Sequence, residues 1–97
     1  MRVISIKTLR EYWSRQTNTR ASLGAWYDFV HHAEWNSPAD VKRDFSSASI
    51  LEDNRVVFNI KGNQYRLVVR INYHMKTVYI RFIGTHTDYD RIDATKV

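Results

Sequence analysis

The spacing of apolar residues changes once along the chain, near Arg55, and that change restricts what the chain can fold into. Upstream, apolar side chains recur every three or four residues, which places them on one stripe of a helix. Downstream they alternate, which places them on one face of a strand. Ile6, Leu9 and Trp13 share a helical face with Tyr12 adjoining, and Ser5 is the expected cap of that first helix. Gln16-Thr17-Asn18 breaks it. Asn18 or Thr19 then caps a second helix carrying Leu23, Trp26, Tyr27, Val30 and Ala33. Ser37-Pro38-Ala39-Asp40 reads as a third start, with serine at the cap, proline at the first helical position and a carboxylate in the first turn. This helix is expected to end near Phe45.

Three strands follow by alternation: Arg55 to Ile60, Gln64 to Tyr73, and Thr77 to Thr85. Gly62-Asn63 is a dipeptide suited to a two-residue hairpin turn, since both residues tolerate positive φ. Helices first and a meander second predict an α+β fold, with the helices packed on one face of a small antiparallel sheet. Parity assigns Val56, Phe58, Ile60, Leu67, Val69, Ile71, Val78, Ile80 and Phe82 to the face under the helices.

The opposite face is different in kind. It receives Asn59 and Lys61, then Arg66, Val68, Arg70 and Asn72, then Tyr79, Arg81 and Ile83. The Gly62-Asn63 turn sets Lys61 opposite Gln64 and Asn59 opposite Arg66. A turn at Met75-Lys76 sets Asn72 opposite Tyr79 and Arg70 opposite Arg81. Like charges facing each other across strands are destabilising, and the second and third strands contain no Asp or Glu. A face kept basic for solubility normally mixes both signs. One sign alone, dominated by planar guanidinium forks, indicates an anion site. Tyr79, next to Arg81 on that face, is placed to stack on a base.

The whole chain agrees in sign, with fifteen basic and ten acidic residues and a net charge of +5. That balance favours nucleic acid, an acidic protein or an anionic surface, without choosing among them. Ninety-seven residues, 43% of them hydrophobic, suffice for one folded domain spanning residues 1–97. Cysteine is absent, so neither a disulfide framework nor thiolate chemistry is available. No stretch approaches the roughly 20 apolar residues of a membrane span, and Arg2 and Lys7 interrupt any signal-like core. A cytoplasmic protein without membrane contact is expected. His31 and His32 diverge on a helix and His74 stands alone on a turn, so no metal site is expected. There is also no phosphate-binding glycine loop and no carboxylate cluster for two-metal chemistry. No cofactor is expected.

After the last strand comes Thr85-His86-Thr87-Asp88-Tyr89-Asp90. Thr85 and Asp88 match a capping box, so a short helical turn is expected, with His86 and Tyr89 projecting from one side. An imidazole and a phenol thus stand at the end of the strand bearing Arg81. Cleavage of RNA through its own 2′-hydroxyl needs a base for that hydroxyl, an acid for the departing 5′-oxygen and cations for the phosphorane charge. These residue types supply all three roles. A binding module for RNA or the ribosome, or a domain that meets an acidic protein, would use the same face without the proton chemistry.

The run Phe58-Asn59-Ile60-Lys61-Gly62-Asn63-Gln64-Tyr65-Arg66-Leu67, the segment Val78-Tyr79-Ile80-Arg81 and the terminal Thr85-His86-Thr87-Asp88-Tyr89-Asp90 together resemble the HigB family, toxins related to the RelE fold. The resemblance covers nearly the whole chain and is most specific from Phe58 to Asp90. It implies the toxin of a type II toxin–antitoxin system, a metal-independent endoribonuclease that cuts mRNA on the translating ribosome. It also implies a cognate helix-turn-helix antitoxin, through which alone the pair meets operator DNA. Carried over by position, Arg66 and Arg81 match the family's strand arginines, and His86 and Tyr89 its terminal Thr-His-x-x-Tyr. In that reading Arg66 and Arg81 hold the scissile phosphate, supported by Lys61 and Arg70. His86 moves a proton, and Tyr89 orients the nucleotide or assists the transfer.

Overall fold

The computed structural model describes residues 1–97 and lays the helical half of the chain against one face of a five-stranded sheet. The elements run β1 (Arg2–Ile4), α1 (Ile6–Arg15), α2 (Arg20–His32), α3 (Pro38–Asp44), β2 (Ser49–Ile50), β3 (Arg55–Ile60), β4 (Tyr65–Asn72), β5 (Thr77–Thr85) and α4 (His86–Tyr89). The strand order is β1-β5-β4-β3-β2. The three strands predicted by alternation form its centre, paired antiparallel. The α+β class is as the change of period predicts.

Two edge strands were not legible by alternation. β1 has three residues and pairs parallel to β5, from Arg2 opposite Thr77 to Ile4 opposite Tyr79. β2 has two and pairs with Val56 and Val57. Segments this short carry no measurable period, and each is a strand only because a distant partner offers its edge. The expected caps also differ. Ser5 takes a left-handed φ of 71° and makes no side-chain cap, because it turns the chain sharply from β1 into α1. Thr19 is fully buried and donates its hydroxyl to the Gln16 carbonyl at 2.6 Å, within a 3-10 turn over Thr17–Thr19. Ser37 has the extended backbone of a cap but no capping side chain. Asp40 instead reaches back to accept from the Asn36 amide at 2.8 Å.

Leu9, Leu23, Val30, Trp35 and Val41 are buried against Val56, Phe58, Leu67, Val69, Ile71 and Val78. Phe58 is at the aromatic centre. It meets Trp26 and Phe45 edge-on at 5.4 and 5.0 Å and lies parallel to Trp35 at 6.2 Å. Trp35 keeps its polar end satisfied by donating Nε1 to Asp44 at 2.9 Å. That bond, together with Arg43 alongside, holds the Asp44 carboxyl below the usual carboxylate range. The Met1 amino group donates to the carbonyls of Val30 and His31, closing the C-terminal end of α2.

The ladder between β4 and β5 slips once. Val68 is opposite Phe82, but Val69 is opposite Ile80, leaving Arg81 as the extra residue of a bulge. Strict alternation fails there. Phe82, expected under the helices, lies instead on the other face with Val57, Val68 and Ala94. Ile83, expected on the basic face, packs against the main core.

Phe58→Ala is expected to cost about 3–5 kcal/mol, because three aromatic neighbours cannot collapse into the space; a urea titration reads the shift in midpoint. Asp44→Asn tests the buried indole bond. A carboxyl with a lowered folded pKa stabilises above its unfolded value, about 3.9, and loses that contribution as pH falls through the lowered value. The melting-temperature gap between wild type and Asp44→Asn is therefore expected to be full at pH 6 and to shrink below about pH 4.

Candidate nucleic-acid interface

Across the sheet face away from the helices, the ladder sets up three rows. At one end Arg55 is opposite Arg70, and Arg70 is opposite Tyr79. At the other, Asn59 is opposite Arg66, and Arg66 is opposite Gly84. Between them lie Val57, Val68 and Phe82, covered by Leu51, Tyr89, Ile92, Ala94 and Val97. The face is therefore not continuously basic. Its C-terminal segment lies across the middle, and Arg66 and Arg70 stand about 13 Å apart along β4, at roughly 3.3 Å per residue.

The predicted pairing of Arg70 with Arg81 does not occur. Asn72 accepts from the Met75 amide at 3.0 Å, and this side-chain turn makes the β4–β5 connection four residues long, Tyr73 to Lys76. Asn72 consequently faces Thr77 and Arg70 faces Tyr79. Arg81 has no cross-strand partner. It donates Nε to the Val97 carbonyl at 3.1 Å, the same oxygen that Arg55 reaches through Nη2 at 2.7 Å. The like-charged pair is Arg55 with Arg70, and Arg55 is a member of the basic face that alternation alone did not single out. Its position two residues before Val57 was the available signal. Lacking the true register, nothing marked it as a neighbour of Arg70.

The β3–β4 turn also departs from expectation. Positive φ falls on Lys61 and Gly62, at 53° and 67°, rather than on Gly62 and Asn63. Ile60 is opposite Tyr65, so Lys61 and Gln64 lie in the turn and are not a ladder pair. Asn59 keeps its expected place opposite Arg66. Asn59 and Lys61 both line a groove of about 280 Å³ that also includes Trp26, Phe29 and Phe45, and the Asn59 amide reaches the Ser47 carbonyl at 3.4 Å.

α4 is built as the capping box predicts. The Thr85 hydroxyl accepts from the Asp88 amide at 3.1 Å, and the Asp88 carboxylate accepts from the Thr85 amide at 3.2 Å. A side chain at Gly84 would meet Phe82 at 2.7 Å and Asp88 at 3.0 Å, so glycine is what lets α4 settle on the end of β5. The His86 amide donates to the Gln64 carbonyl at 3.1 Å, and Arg66 donates Nη1 to the Asn63 carbonyl at 3.0 Å. The Arg66 side chain and the His86 backbone are thereby tied to one turn. The structure brings Arg66 and His86 together there, groups Arg55, Arg70, Tyr79 and Arg81 at the far end, and sets Tyr89 over the apolar band between. His86 Nδ1 is 3.1 Å from the Asp90 carboxylate, a contact the motif reading did not anticipate.

Lys61, Arg66 and Arg70 take part in no ion pair. The carboxylates are occupied elsewhere, Asp40 and Asp44 with Arg43 on α3 and Asp90 with His86. No three His, Asp or Glu side chains converge as metal ligands, and no helix is long and apolar enough to cross a membrane. A guanidinium without an ion-pair partner, Arg66, on the turn that holds the His86 backbone is suited to hold a phosphodiester beside a group that can exchange a proton with it.

Residues 19–92 match the model of a family described as HigB_toxin, RelE-like toxic component of a toxin-antitoxin system. The mRNA interferase toxin HigB of Escherichia coli (strain K12) is 27% identical over 96 residues, covering 97% of this chain and 92% of that protein. The mRNA interferase HigB of Shigella flexneri matches to the same extent. That of Escherichia coli O6:H1 is 21% identical over 94 residues, covering 95% of this chain and 91% of its own. With a family match over most of its length, on an α+β fold whose basic face ends in a capped histidine turn, this chain belongs to the HigB toxin family, the RelE-like toxic components of toxin–antitoxin systems.

Proposed function

We propose that this chain is a ribosome-dependent endoribonuclease that cuts mRNA without a metal ion, acting as one toxin domain over residues 1–97 in the cytoplasm. The observation that carries the reading is that one β3–β4 turn holds both the Arg66 side chain and the His86 backbone, at one end of a face on which Lys61, Arg66 and Arg70 take part in no ion pair. The relatives named above as mRNA interferases support the choice of substrate. In the reaction the 2′-oxygen attacks phosphorus and gives up its proton, and the bond to the 5′-oxygen breaks as that oxygen gains one. The products are a 2′,3′-cyclic phosphate and a 5′-hydroxyl, so no water and no cofactor is consumed. His86 moves one of these protons, and Tyr89 orients the nucleotide or assists the other transfer. Arg66, on the turn that holds His86, carries the phosphorane charge, and Arg81, toward the other end of the face, holds the phosphate backbone there. Lys61, Arg70 and Asn59 extend the grip along the backbone, and Tyr79 offers a base-stacking surface beside Arg70.

The bulge gives Arg81 a specific part in this. Its Nη atoms make no internal hydrogen bond, while Nε is held by the Val97 carbonyl. The guanidinium is thus fixed at one point and open at the other. The partner set is a helix-turn-helix antitoxin, with operator DNA contacted only through it.

Induced expression in a bacterium is expected to arrest growth with translation-dependent cuts in mRNA. His86→Ala is expected to slow cleavage by roughly 10²-fold or more, and Arg66→Ala and Arg81→Ala to abolish the arrest. Arrest with intact mRNA would leave a non-catalytic ribosome binder and sink the nuclease reading. Arg70→Ala tests backbone contact separately. It should lower RNA affinity uniformly across sequences and flatten the dependence of log K on log salt by about 0.7.

A further inference from the structure

His86 and Asp90 are held across the whole length of α4, with Nδ1 of the imidazole 3.1 Å from Oδ2 of the carboxylate. Both side chains are about half exposed, at 54% and 58%. An ion pair at that spacing on an exposed helix is worth a few tenths of a kcal/mol, which is a weak reason for the pairing. The chemistry of the pair is more telling. A histidine that exchanges a proton with bound RNA presents one ring nitrogen to the substrate, and the hydrogen bond made by the other nitrogen decides which one carries the proton. Here Nδ1 lies 3.1 Å from the Asp90 carboxylate, and Nε2 makes no hydrogen bond within the protein.

The remaining groups around the imidazole do not compete for that role. On the same turn, Asp88 is committed to the Thr85 amide, and Tyr89 packs over Val57 and Val68. From β4, Arg66 donates to Asn63, and Tyr65 accepts from the Asn18 amide at 2.9 Å. The β3–β4 turn offers Lys61, a cation, and the Gln64 carbonyl, which is taken by the His86 backbone amide. From α1, Tyr12 packs edge-on against Tyr65 and Arg15 lies over the Tyr12 ring. Asp90 alone is a carboxylate within ionic reach of His86. It makes no contact with Arg66 or Arg81, although a carboxylate placed on this face for charge balance would pair with an arginine.

We infer that Asp90 is a positioning residue for RNA cleavage: it accepts a hydrogen bond from His86 Nδ1–H, fixes the ring, and leaves Nε2 as the atom that exchanges a proton with the RNA. The assignment holds whether His86 serves as base or as acid, since both roles use Nε2. It rests on the nuclease reading proposed above.

The test joins imidazole spectroscopy to kinetics on the full chain. Long-range ¹H–¹⁵N correlation at a pH where the ring is neutral should show wild-type His86 with its proton on Nδ1. Asp90→Ala should revert to the Nε2–H form that an unpartnered imidazole favours. Asp90→Asn should also lose the Nδ1–H form, because its amide N–H can donate to Nδ1 and favours the Nε2–H tautomer. In single-turnover cleavage of ribosome-bound mRNA, Asp90→Ala is expected to lower the cleavage rate by roughly tenfold with the half-saturating concentration within about twofold, and Asp90→Asn to be at least as slow because it favours the wrong tautomer. A neutral wild-type ring protonated on Nε2 overturns the inference, as does wild-type cleavage rate in Asp90→Ala. Absence of cleavage by wild type itself removes the nuclease reading, a different failure from an active wild type that is indifferent to Asp90.

Discussion

Between Val68 and Val69 the ladder joining β4 to β5 slips by one residue, and the side chains on either side of that slip serve different cores. Toward β1, Val78 and Ile80 point into the helical layer with Val69 and Ile71. Past the bulge, Ile83 takes over that role and Phe82 turns to the opposite face. Without Arg81 as an extra residue, β5 would send Phe82 into the main core and leave the band of Val57 and Val68 without its third member. The bulge is thus what allows a second small cluster to form and the C-terminal segment to seat on it. It also removes Arg81 from the ladder, so that its side chain is positioned by Val97 and not by a strand neighbour.

That arrangement has an electrostatic consequence. Arg55 and Arg70 are directly opposed, and Lys61, Arg66 and Arg70 have no carboxylate side chain to offset them. Opposed cations cost some tenths of a kcal/mol per pair in water, small against the burial of Phe58, Trp35 and Trp26. The sheet bears this cost because the hydrophobic layer on its other face is strong enough to hold the strands in register. A phosphate backbone on the basic face would relieve the repulsion, so the same charges that oppose folding slightly favour binding.

Some of the local geometry around the candidate site is legible in the sequence. The Thr85 and Asp88 box, three residues apart, defines a local hydrogen-bonded unit that needs no distant partner, and it forms as read. Asn59 opposite Arg66 followed from a tight turn at Gly62, even though positive φ fell one residue earlier. The β4–β5 register could not be read in the same way. His74-Met75-Lys76 contains no dipeptide that demands one turn type, and the Asn72 side chain closed a longer turn than the two-residue one expected. Arg55 as the neighbour of Arg70 and Asp90 as the neighbour of His86 were missed for a related reason. One depends on cross-strand register, the other on where a four-residue helix ends.

Period, charge sign and local capping are properties of neighbouring residues, and from these the sequence alone determined the α+β class, the helical layer under the sheet, the absence of acid from β4 and β5, and the histidine turn after Thr85. Long-range pairing decided the rest. β1 and β2 exist because β5 and β3 had free edges to accept them. The bulge exists because a continuous ladder cannot satisfy both the main core and the cluster under Ala94. The division of the basic face into an Arg66–His86 end and an Arg70–Arg81 end follows from the C-terminal segment lying between them, a contact between residues far apart in the chain that no local pattern encodes.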